Sequence, residues 1–147
     1  GDKAIIKQEN NRAIYIFKGA KDLKEGFSYD IQVNQIYDFY GLKEIKDFNI
    51  LKENSSFKNY KDLFLDGSKI DIFDFKYENE VITNLKGFIT KGNLQINGGK
   101  TIKLFAKDKN ILPKDGSTIE ILNAQLGSYR GNMQIIFHTK DDYKELK

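Results

Sequence analysis

Two stretches of the chain carry the same pattern, and they decide the fold. Lys24–Ile45 reads KEGFSYDIQVNQIYDFYGLKEI, and Lys114–Ile135 reads KDGSTIEILNAQLGSYRGNMQI. Aligned at an offset of 90 without a gap, they share six of 22 residues, where chance would give roughly one or two. The identical pairs are Lys24/Lys114, Gly26/Gly116, Ile31/Ile121, Gln35/Gln125, Gly41/Gly131 and Ile45/Ile135. The chain is therefore predicted to contain two copies of one unit.

The pattern inside each copy is that of β-strands. β-branched and aromatic residues alternate with polar ones, and turn dipeptides such as Asn97-Gly98 and Asp115-Gly116 separate the runs. Upstream of the aligned stretches the offset slips by two, so that Ile14 and Ile16 match Ile102 and Leu104. The second copy predicts five strand segments: Val81–Lys91, Leu94–Asn97, Lys100–Ala106, Ser117–Gln125 and Met133–His138.

The fourth strand of each copy needs an irregularity. Ile119 and Ile121 share a face, but Leu126 follows Ile121 by an odd number of residues and cannot share that face on an unbroken strand. A β-bulge near Asn123 restores the phase, and Val33–Asn34 requires the same in the first copy. Bulged, strongly bent strands are typical of small closed barrels.

With these features the chain resembles the bacterial OB-like domains found in exported proteins and beside secreted nucleases. The resemblance rests on a strand–hairpin opening, a Lys-Asp/Glu-Gly turn before the fourth strand and an aromatic-Gly or aromatic-x-Gly tip before the fifth. The turns are Lys24-Glu25-Gly26 and Lys114-Asp115-Gly116, and the tips are Tyr40-Gly41 and Tyr129-Arg130-Gly131. It implies an all-β fold of two tandem OB-like five-stranded barrel units, the first incomplete or irregular, joined by a short helix.

The expected domains are a first OB-like unit, a helical linker with an accessory strand, and a second OB-like unit, at residues 1–54, 55–79 and 80–147. Ser55 or Ser56 caps the predicted helix, and its apolar side consists of Phe57, Tyr60 and Phe64. Most of the opening strand of the first unit would precede residue 1. Two explanations stay open: that strand was trimmed, or Lys69–Phe75 substitutes for it, which we favour because an open barrel exposes apolar strand edges.

Composition limits the chemistry. The 147 residues include no Cys and one His, which excludes disulfides and thiolate chemistry. The net charge of +3 excludes a strongly basic coat over the whole chain. Divided along the repeat, however, residues 1–50 carry no net charge, residues 51–80 carry −2 and residues 81–147 carry +5. The second unit is therefore basic and its sibling is neutral.

No set of residues predicts an enzyme or a cofactor. His138 ends a strand and has no second His with which to bind a metal. The pairs Asp71/Asp74 and Asp141/Asp142 are interpreted as solvated turn or tail charges. Gly98-Gly99-Lys100-Thr101 imitates the end of a phosphate-binding P-loop, but the required first glycine is replaced by Leu94 and the segment joins two strands. We therefore expect a binding protein without catalytic activity.

The basic second unit predicts binding of single-stranded nucleic acid, because OB barrels stack bases on exposed aromatic rings while basic side chains follow the phosphates. The candidate ligand-binding residues are Lys86, Phe88, Lys91, Lys100, Lys103, Tyr129 and Arg130. The exposure of Phe88 and Tyr129 decides between this hypothesis and a plain lysine-rich surface. If their rings are buried, they belong to the core packing, and if they are exposed beside lysines, they form a stacking platform. The aromatic tip of the first copy, formed by Tyr37, Phe39 and Tyr40, predicts packing against the other copy or another protein.

The alternative function belongs to another class: an exported bacterial protein, with or without a lipid anchor, that contacts proteins or glycans or acts as a scaffold. OB barrels bind all of these ligands, so the fold alone does not choose. Residue 1 is Gly rather than Met, which indicates a processed or engineered N-terminus. With a removed export signal as the interpretation, an extracytoplasmic location is favoured over a cytoplasmic one. No apolar run reaches the roughly 18 residues of a membrane span.

Overall fold

A computed structural model describes residues 2–8, 10–57 and 59–147, without the side chains of 55–57, and shows an all-β chain in two sheets. The smaller sheet contains β1 (Ala4–Lys7), β2 (Ala13–Ile16), β3 (Phe27–Phe39) and β4 (Leu42–Phe57). The larger sheet contains β5 (Leu65–Asp66), β6 (Val81–Thr83), β7 (Leu85–Thr90), β8 (Asn93–Gln95), β9 (Thr101–Phe105), β10 (Thr118–Ile121), β11 (Ala124–Tyr129), β12 (Asn132–Ile136) and β13 (Tyr143–Leu146). Four 3-10 helices, Tyr60–Leu63, Phe75–Tyr77, Lys109–Ile111 and Lys140–Asp142, complete the described elements.

The smaller sheet has the order β1-β2-β4-β3, with β2 and β4 parallel and the other pairs antiparallel. Its long hairpin β3–β4 changes register between Val33 and Gln35, as the predicted irregularity at Val33–Asn34 requires. Ile16, Ala20 and Ile45 form its small buried core. The alternation of apolar residues therefore produces a sheet with one apolar face, covered only in part.

The larger sheet has the order β13-β10-β7-β8-β9-β12-β11-β6-β5 and curls around the main hydrophobic core. The predicted fourth strand is interrupted at Leu122–Asn123, so that β10 pairs with β7 while β11 pairs with β12 and β6. The neighbouring strand is interrupted at the same level, at Asn84, which separates β6 from β7. The pairs β10–β7 and β11–β6 therefore keep one common register. The predicted change of phase near Asn123 is confirmed, but it arises from breaks in two strands rather than from one inserted residue.

The repeat in the sequence is matched by a repeat in strand pairing. In the smaller sheet Ile16 pairs with Ile45 in parallel, and Ile45 pairs with Ile36 on its other side. In the larger sheet the corresponding residues pair in the same way, Leu104 with Ile135 and Ile135 with Leu126. The hairpins β1–β2 and β8–β9 also share a register, since Ile6 pairs with Ile14 and Leu94 with Ile102. The core strands of both sheets are thus two copies of one arrangement.

Three expectations are corrected or not confirmed. Neither sheet closes into a barrel in the described residues, because the smaller one ends at β1 and β3 and the larger one at β13 and β5. The joining helix is not confirmed: β4 continues to Phe57, and only the 3-10 helix Tyr60–Leu63 follows, while the proposed caps lie among the undescribed side chains. Lys69–Phe75 forms turns rather than the substitute strand, because Asp71 accepts a hydrogen bond from the backbone N–H of Phe73 and bends the chain.

The two sheets pack against each other through polar contacts. Glu80 is buried and accepts hydrogen bonds from the ammonium group of Lys7 and the backbone N–H of Ala13. The amide of Asn79 donates to the backbone carbonyl of Lys43 and accepts from Gln125. Because a buried ion pair is costly to separate once its partners are in place, these contacts hold the two sheets in one relative position.

Candidate nucleic-acid interface

Strand β7 positions the centre of the candidate site. Its inward residues Leu85 and Ile89 are buried in the main core, so Lys86 and Phe88 point away from it. Phe88 is 44% exposed and lies in register with Gln95 on β8 and Thr118 on β10. A large aromatic ring on a sheet surface, beside a lysine on the same strand, matches the arrangement predicted for a stacking platform.

Around Phe88 the surface forms a continuous, open groove. A first section of about 440 Å³ is lined by Lys86, Phe88, Gln95, Asn97 and Thr118, among others. A second section of about 830 Å³ shares Lys86 and Asn97 and continues between β7 and the loop 67–73. The two sections meet at Lys86 and Asn97 and are wide open to solvent, with the ring of Phe88 in the first and Lys69 and Lys100 in the second.

The loop 67–73 forms the second wall, and it contributes residues that were not predicted. Phe73 is half-buried against the main core, and the ammonium nitrogen of Lys100 lies 5.5 Å from the centre of its ring. Lys69 also lines this section, with its ammonium nitrogen 3.9 Å from a carboxylate oxygen of Asp66. Phe73 and Lys69 are not among the predicted site residues, because Lys69–Phe75 is expected from the sequence to form a strand of the smaller sheet.

Asp66 fixes this loop to the larger sheet. Its carboxylate accepts hydrogen bonds from Ser68 and from the side-chain amide of Asn84, which lies between β6 and β7. Hydrogen bonds from these two side chains hold the pKa of Asp66 below its usual value. The turn residues Asp66, Ser68 and Asp71 are the sequence signal from which the loop could have been predicted, since Asp and Ser side chains bond to backbone two residues ahead.

Of the seven predicted site residues, Lys86, Phe88 and Lys100 line the groove. Lys103 is exposed on β9 in register with Asn93, so it extends the outer face of the sheet beyond the groove. Lys91 is exposed in the turn between β7 and β8 with a φ of 51°. The structure therefore brings three of the predicted residues together and leaves these two lysines outside the groove lining.

Tyr129 and Arg130 lie elsewhere, in contact with the aromatic tip of the smaller sheet. The backbone N–H of Arg130 donates to the carbonyl of Tyr40 at 2.9 Å, and the guanidinium carbon lies 4.9 Å from the Tyr40 ring centre. The ring of Tyr129 lies 5.0 Å from that of Tyr40 and 6.1 Å from that of Phe39. The first tip therefore packs against the second copy, and Tyr129 and Arg130 are not among the residues that line the groove.

Titratable side chains collect where the two sheets meet. Burial raises the pKa of Tyr15 to about 12, and the charge of Glu44 adds to the effect. Burial also raises the pKa of Glu44, with a smaller opposite influence from Lys3. Burial lowers the pKa of His138, whose Nε2 lies 2.7 Å from Oε1 of Gln125 and whose ring centre lies 6.0 Å from that of Tyr15. His138 thus contacts a side chain of each sheet.

The acidic pairs of the sequence have structural partners. Asp71 and Asp74 each accept a backbone hydrogen bond from the residue two ahead and so act as turn charges, as predicted. The interpretation of Asp142 as a solvated tail charge is wrong. Asp142 is buried and accepts hydrogen bonds from the backbone of His138 and Thr139 and from the side chain of Asn123. Asp142 thereby connects the turn before β13 to the break between β10 and β11. The two segments lie close together because β13 pairs with β10.

No protein-family model matches the chain, and the comparison with curated proteins finds no match. None of the helices in the described part of the chain is long and apolar enough to cross a membrane. Within the same residues, no three His, Asp or Glu side chains lie together as a metal site would require.

Proposed function

We propose that this protein binds single-stranded nucleic acid, without catalysis, in the groove on the outer face of β7 and β8. The observation that carries the proposal is Phe88, which is exposed beside Lys86 in an open groove that Lys100 and Phe73 also line. Bases stack on exposed aromatic rings irrespective of sequence, and lysines neutralise phosphates. The predicted partner is an oligonucleotide held by stacking and charge.

The strand order of the larger sheet supports an OB-like interpretation of the second unit. The second unit can be counted as five strands, which in chain order are β6–β7, β8, β9, β10–β11 and β12. The first of these strands pairs with the second and the fourth, and the fifth pairs in parallel with the third. In OB folds the face of the second and third strands and the adjacent loops bind oligonucleotides. The groove includes Gln95 of the second strand and lies beside this face.

The groove accounts for binding better than for chemistry. Its wall presents lysine ammonium groups, amides and phenyl rings, and its carboxylate, Asp71, is engaged in its own turn. Lysine contacts to phosphate depend on charge and carry no sequence information. We therefore expect affinity for single strands with little preference for sequence and a strong dependence on salt.

A titration of fluorescently labelled oligo-dT, followed by anisotropy at two salt concentrations, tests the proposal. Phe88→Ala should weaken binding by about 5- to 150-fold, because stacking of one base contributes about 1–3 kcal/mol. Lys86→Ala should weaken binding less at high salt than at low salt, and lower the slope of log affinity against log salt by about 0.7 to 1.

Phe105→Ala is the matched control, because Phe105 is exposed to the same degree, 43%, on β9 and does not line the groove. It should leave the affinity for oligo-dT unchanged. Lys103→Ala should flatten the salt dependence of the affinity only if the bound oligonucleotide continues beyond the groove and across β9. Absence of binding at low salt, or an equal loss with Phe105→Ala, would contradict the proposal.

A further inference from the structure

Five aromatic rings contact one another in a row where the two sheets meet. They are Phe17, which follows β2, Tyr37 and Phe39 on β3, Tyr40 in the turn after β3, and Tyr129 at the end of β11. The ring centres lie 6.1 Å apart from Phe17 to Tyr37, 6.3 Å from Tyr37 to Phe39 and 6.1 Å from Phe39 to Tyr129. The ring of Tyr40 lies 5.0 Å from those of Phe39 and Tyr129. Together these residues are the aromatic row.

The aromatic row is more exposed than packing of the two tips requires. Tyr37, Phe39 and Tyr40 are 44%, 41% and 51% exposed. The neighbouring rings are inclined to each other by 44° to 84°, so none of these pairs is stacked face to face. Tyr37 contacts Phe17 and Phe39 of its own sheet, and the contact between the tips therefore does not explain its position. A contiguous exposed aromatic surface of this kind marks an interaction site.

Three cationic side chains border the aromatic row. The ammonium nitrogen of Lys18 lies 5.9 Å from the ring centre of Phe17, and that of Lys46 lies 5.9 Å from the ring centre of Tyr37. The guanidinium carbon of Arg130 lies 4.9 and 5.2 Å from the centres of the two tyrosine rings at the other end. In the part of the chain that the structure describes, none of these three cations forms an ion pair with a carboxylate. Their charges are therefore available to an anionic ligand.

The acidic side chains nearest to the row along the chain do not offset these cations. Asp38 accepts hydrogen bonds from the ammonium group of Lys43 at 2.7 Å and from the backbone N–H of Gly41. These bonds, the first above all, hold the pKa of Asp38 below its usual value, so its charge is balanced by Lys43. Glu44 pairs with Tyr37 across the strands but is buried. The surface of the row is therefore positive.

We propose that the aromatic row is a second binding surface for single-stranded nucleic acid, separate from the groove on β7 and β8. Exposed rings offer faces on which bases stack, and Lys and Arg side chains neutralise phosphates. Lys and Arg only donate hydrogen bonds, whereas the hydroxyl groups of a neutral glycan need acceptors as well as donors. Rings bordered by cations therefore suit planar bases on an anionic backbone. The surface gives Tyr129 and Arg130 a binding role away from the predicted groove.

The two surfaces share a class of ligand but no residues. None of the five rings is among the residues that line the groove. The row is also particular to the smaller sheet, because the equivalent of Tyr37 in the larger sheet is Gly127. A Cβ at Gly127 would lie 2.5 Å from a methyl carbon of Ile136, so an aromatic ring has no room there. Binding at the row can therefore fail while the groove binds, and the reverse also holds.

Tyrosine fluorescence distinguishes the row from the groove. The chain has eight tyrosines and no tryptophan, and three of the five rings of the row are tyrosines. The aromatic residues that line the groove are Phe73 and Phe88. Because a stacked base quenches tyrosine fluorescence, oligo-dT of about six nucleotides should quench the emission of the Phe88→Ala protein, after correction for absorption by the oligonucleotide. Anisotropy of the same oligonucleotide with a fluorescent label gives the affinity independently.

Variants of the Phe88→Ala protein assign the quenching to the row. Tyr37→Ala should weaken binding by at least about fivefold and reduce the quenching, whereas Tyr37→Phe keeps the ring and should keep the affinity. Lys46→Gln should lower the slope of log affinity against log salt by about 0.7. The matched controls are Phe105→Ala, exposed to a similar degree outside the row, and Lys52→Gln, exposed further along β4. Both should leave the binding unchanged, and circular dichroism should show that every variant is folded.

The outcomes separate this proposal from the function proposed for the groove. Anisotropy that shows binding without tyrosine quenching, or quenching that Tyr37→Ala leaves unchanged, would overturn the aromatic row and leave the groove standing. Equal quenching by inorganic polyphosphate, which has no bases, would overturn stacking. Quenching by chitohexaose but not by oligo-dT would mean that the row binds a glycan. Absence of oligo-dT binding to the parent protein at low salt would contradict both surfaces.

Discussion

The two sheets share much of their strand pairing, yet the larger one has an extensive buried core and the smaller one only a small one. Ile45 and Ile135 occupy the same place in the parallel pair and are both buried. One strand away, Leu126 is fully buried whereas Ile36 is half exposed. Strand pairing follows from the repeated sequence, but burial depends on whether a further strand covers the face. The difference shows that a copied hydrophobic pattern specifies a sheet and does not by itself complete a core.

The difference in surface is as informative as the difference in burial. The outer face of the larger sheet carries the groove with Phe88 and Lys86, because β7 is present to display them. The equivalent place in the smaller sheet is vacant among the described strands, and it exposes apolar residues instead. β7 therefore creates the candidate site of the larger sheet, and no described strand takes its place in the smaller one.

The largest effect should come from shortening the equivalent residues Leu126 and Ile36. Leu126→Ala should lower the free energy of unfolding by about 3 kcal/mol, since it leaves a cavity in a closed core. Ile36→Ala should lower it by less than about 1 kcal/mol, because that side chain is already half exposed. Urea denaturation measures both. Equal losses at the two positions would mean that the smaller sheet is covered in solution.

Gly87 tests whether β7 is what completes the larger sheet. A Cβ at this position would lie 2.5 Å from the backbone oxygen of Gln95 and 2.6 Å from a methyl carbon of Leu94. Because backbone cannot move aside cheaply, Gly87→Ala should destabilise the protein by about 2 kcal/mol. Lys86→Ala, one residue away and outward, is the control and should change stability by less than about 0.5 kcal/mol. A neutral Gly87→Ala would show that β7 and β8 are not closely packed.

The smallest effect concerns Glu44, whose equivalent in the larger sheet is Gln134, so Glu44→Gln makes the two sheets alike. Burial raises the pKa of Glu44 above its ordinary 4.5, so the folded protein holds this proton more tightly than the unfolded chain. Its favourable contribution is present below the unfolded pKa and is lost as pH rises through the folded pKa. Glu44→Gln should therefore stabilise the protein at about pH 7 by about 1 kcal/mol or less.

The control for this variant is its own pH profile, measured by urea denaturation. The gain from Glu44→Gln should shrink as pH falls towards about 3, where the carboxyl is protonated in both states. Neighbouring Tyr15 does not titrate in this range, because its pKa is raised to about 12. His138 acts in the opposite sense, since its lowered pKa removes stability as pH falls. A gain that is independent of pH would contradict the role given to Glu44.

Much of the fold could be predicted because its signals are local. The alternation in Ala13–Ile16 and Thr101–Phe105, and the tight turns before Gly41 and Gly131, predict strands and hairpins from neighbouring residues alone. Strand β4 was largely missed, since Lys43–Asn54 alternates charged residues with few apolar ones. Only the match of Ile45 to Ile135 indicated a strand there.

The candidate site was predictable in part, for the same physical reason. Lys86 and Phe88 are two apart on one strand, so their common face follows from the period of a β-strand. Phe73 joins them only because Asp66 and Asn84 attach a distant loop to the sheet. Tyr129 shared the expected composition but packs against Tyr40, a contact between residues far apart in the chain. Contacts of this kind depend on how the sheets meet.

By itself, the sequence determined that the chain is β-rich, that it repeats, where the strands change phase and that its second half is basic. These properties depend on residue type and spacing along the chain. The tertiary structure alone decided that neither sheet closes, that Tyr129 and Arg130 join the two tips, that Asp142 is buried and that Phe88 stays exposed beside Lys86. These depend on which faces are covered, and coverage is a property of the packed whole.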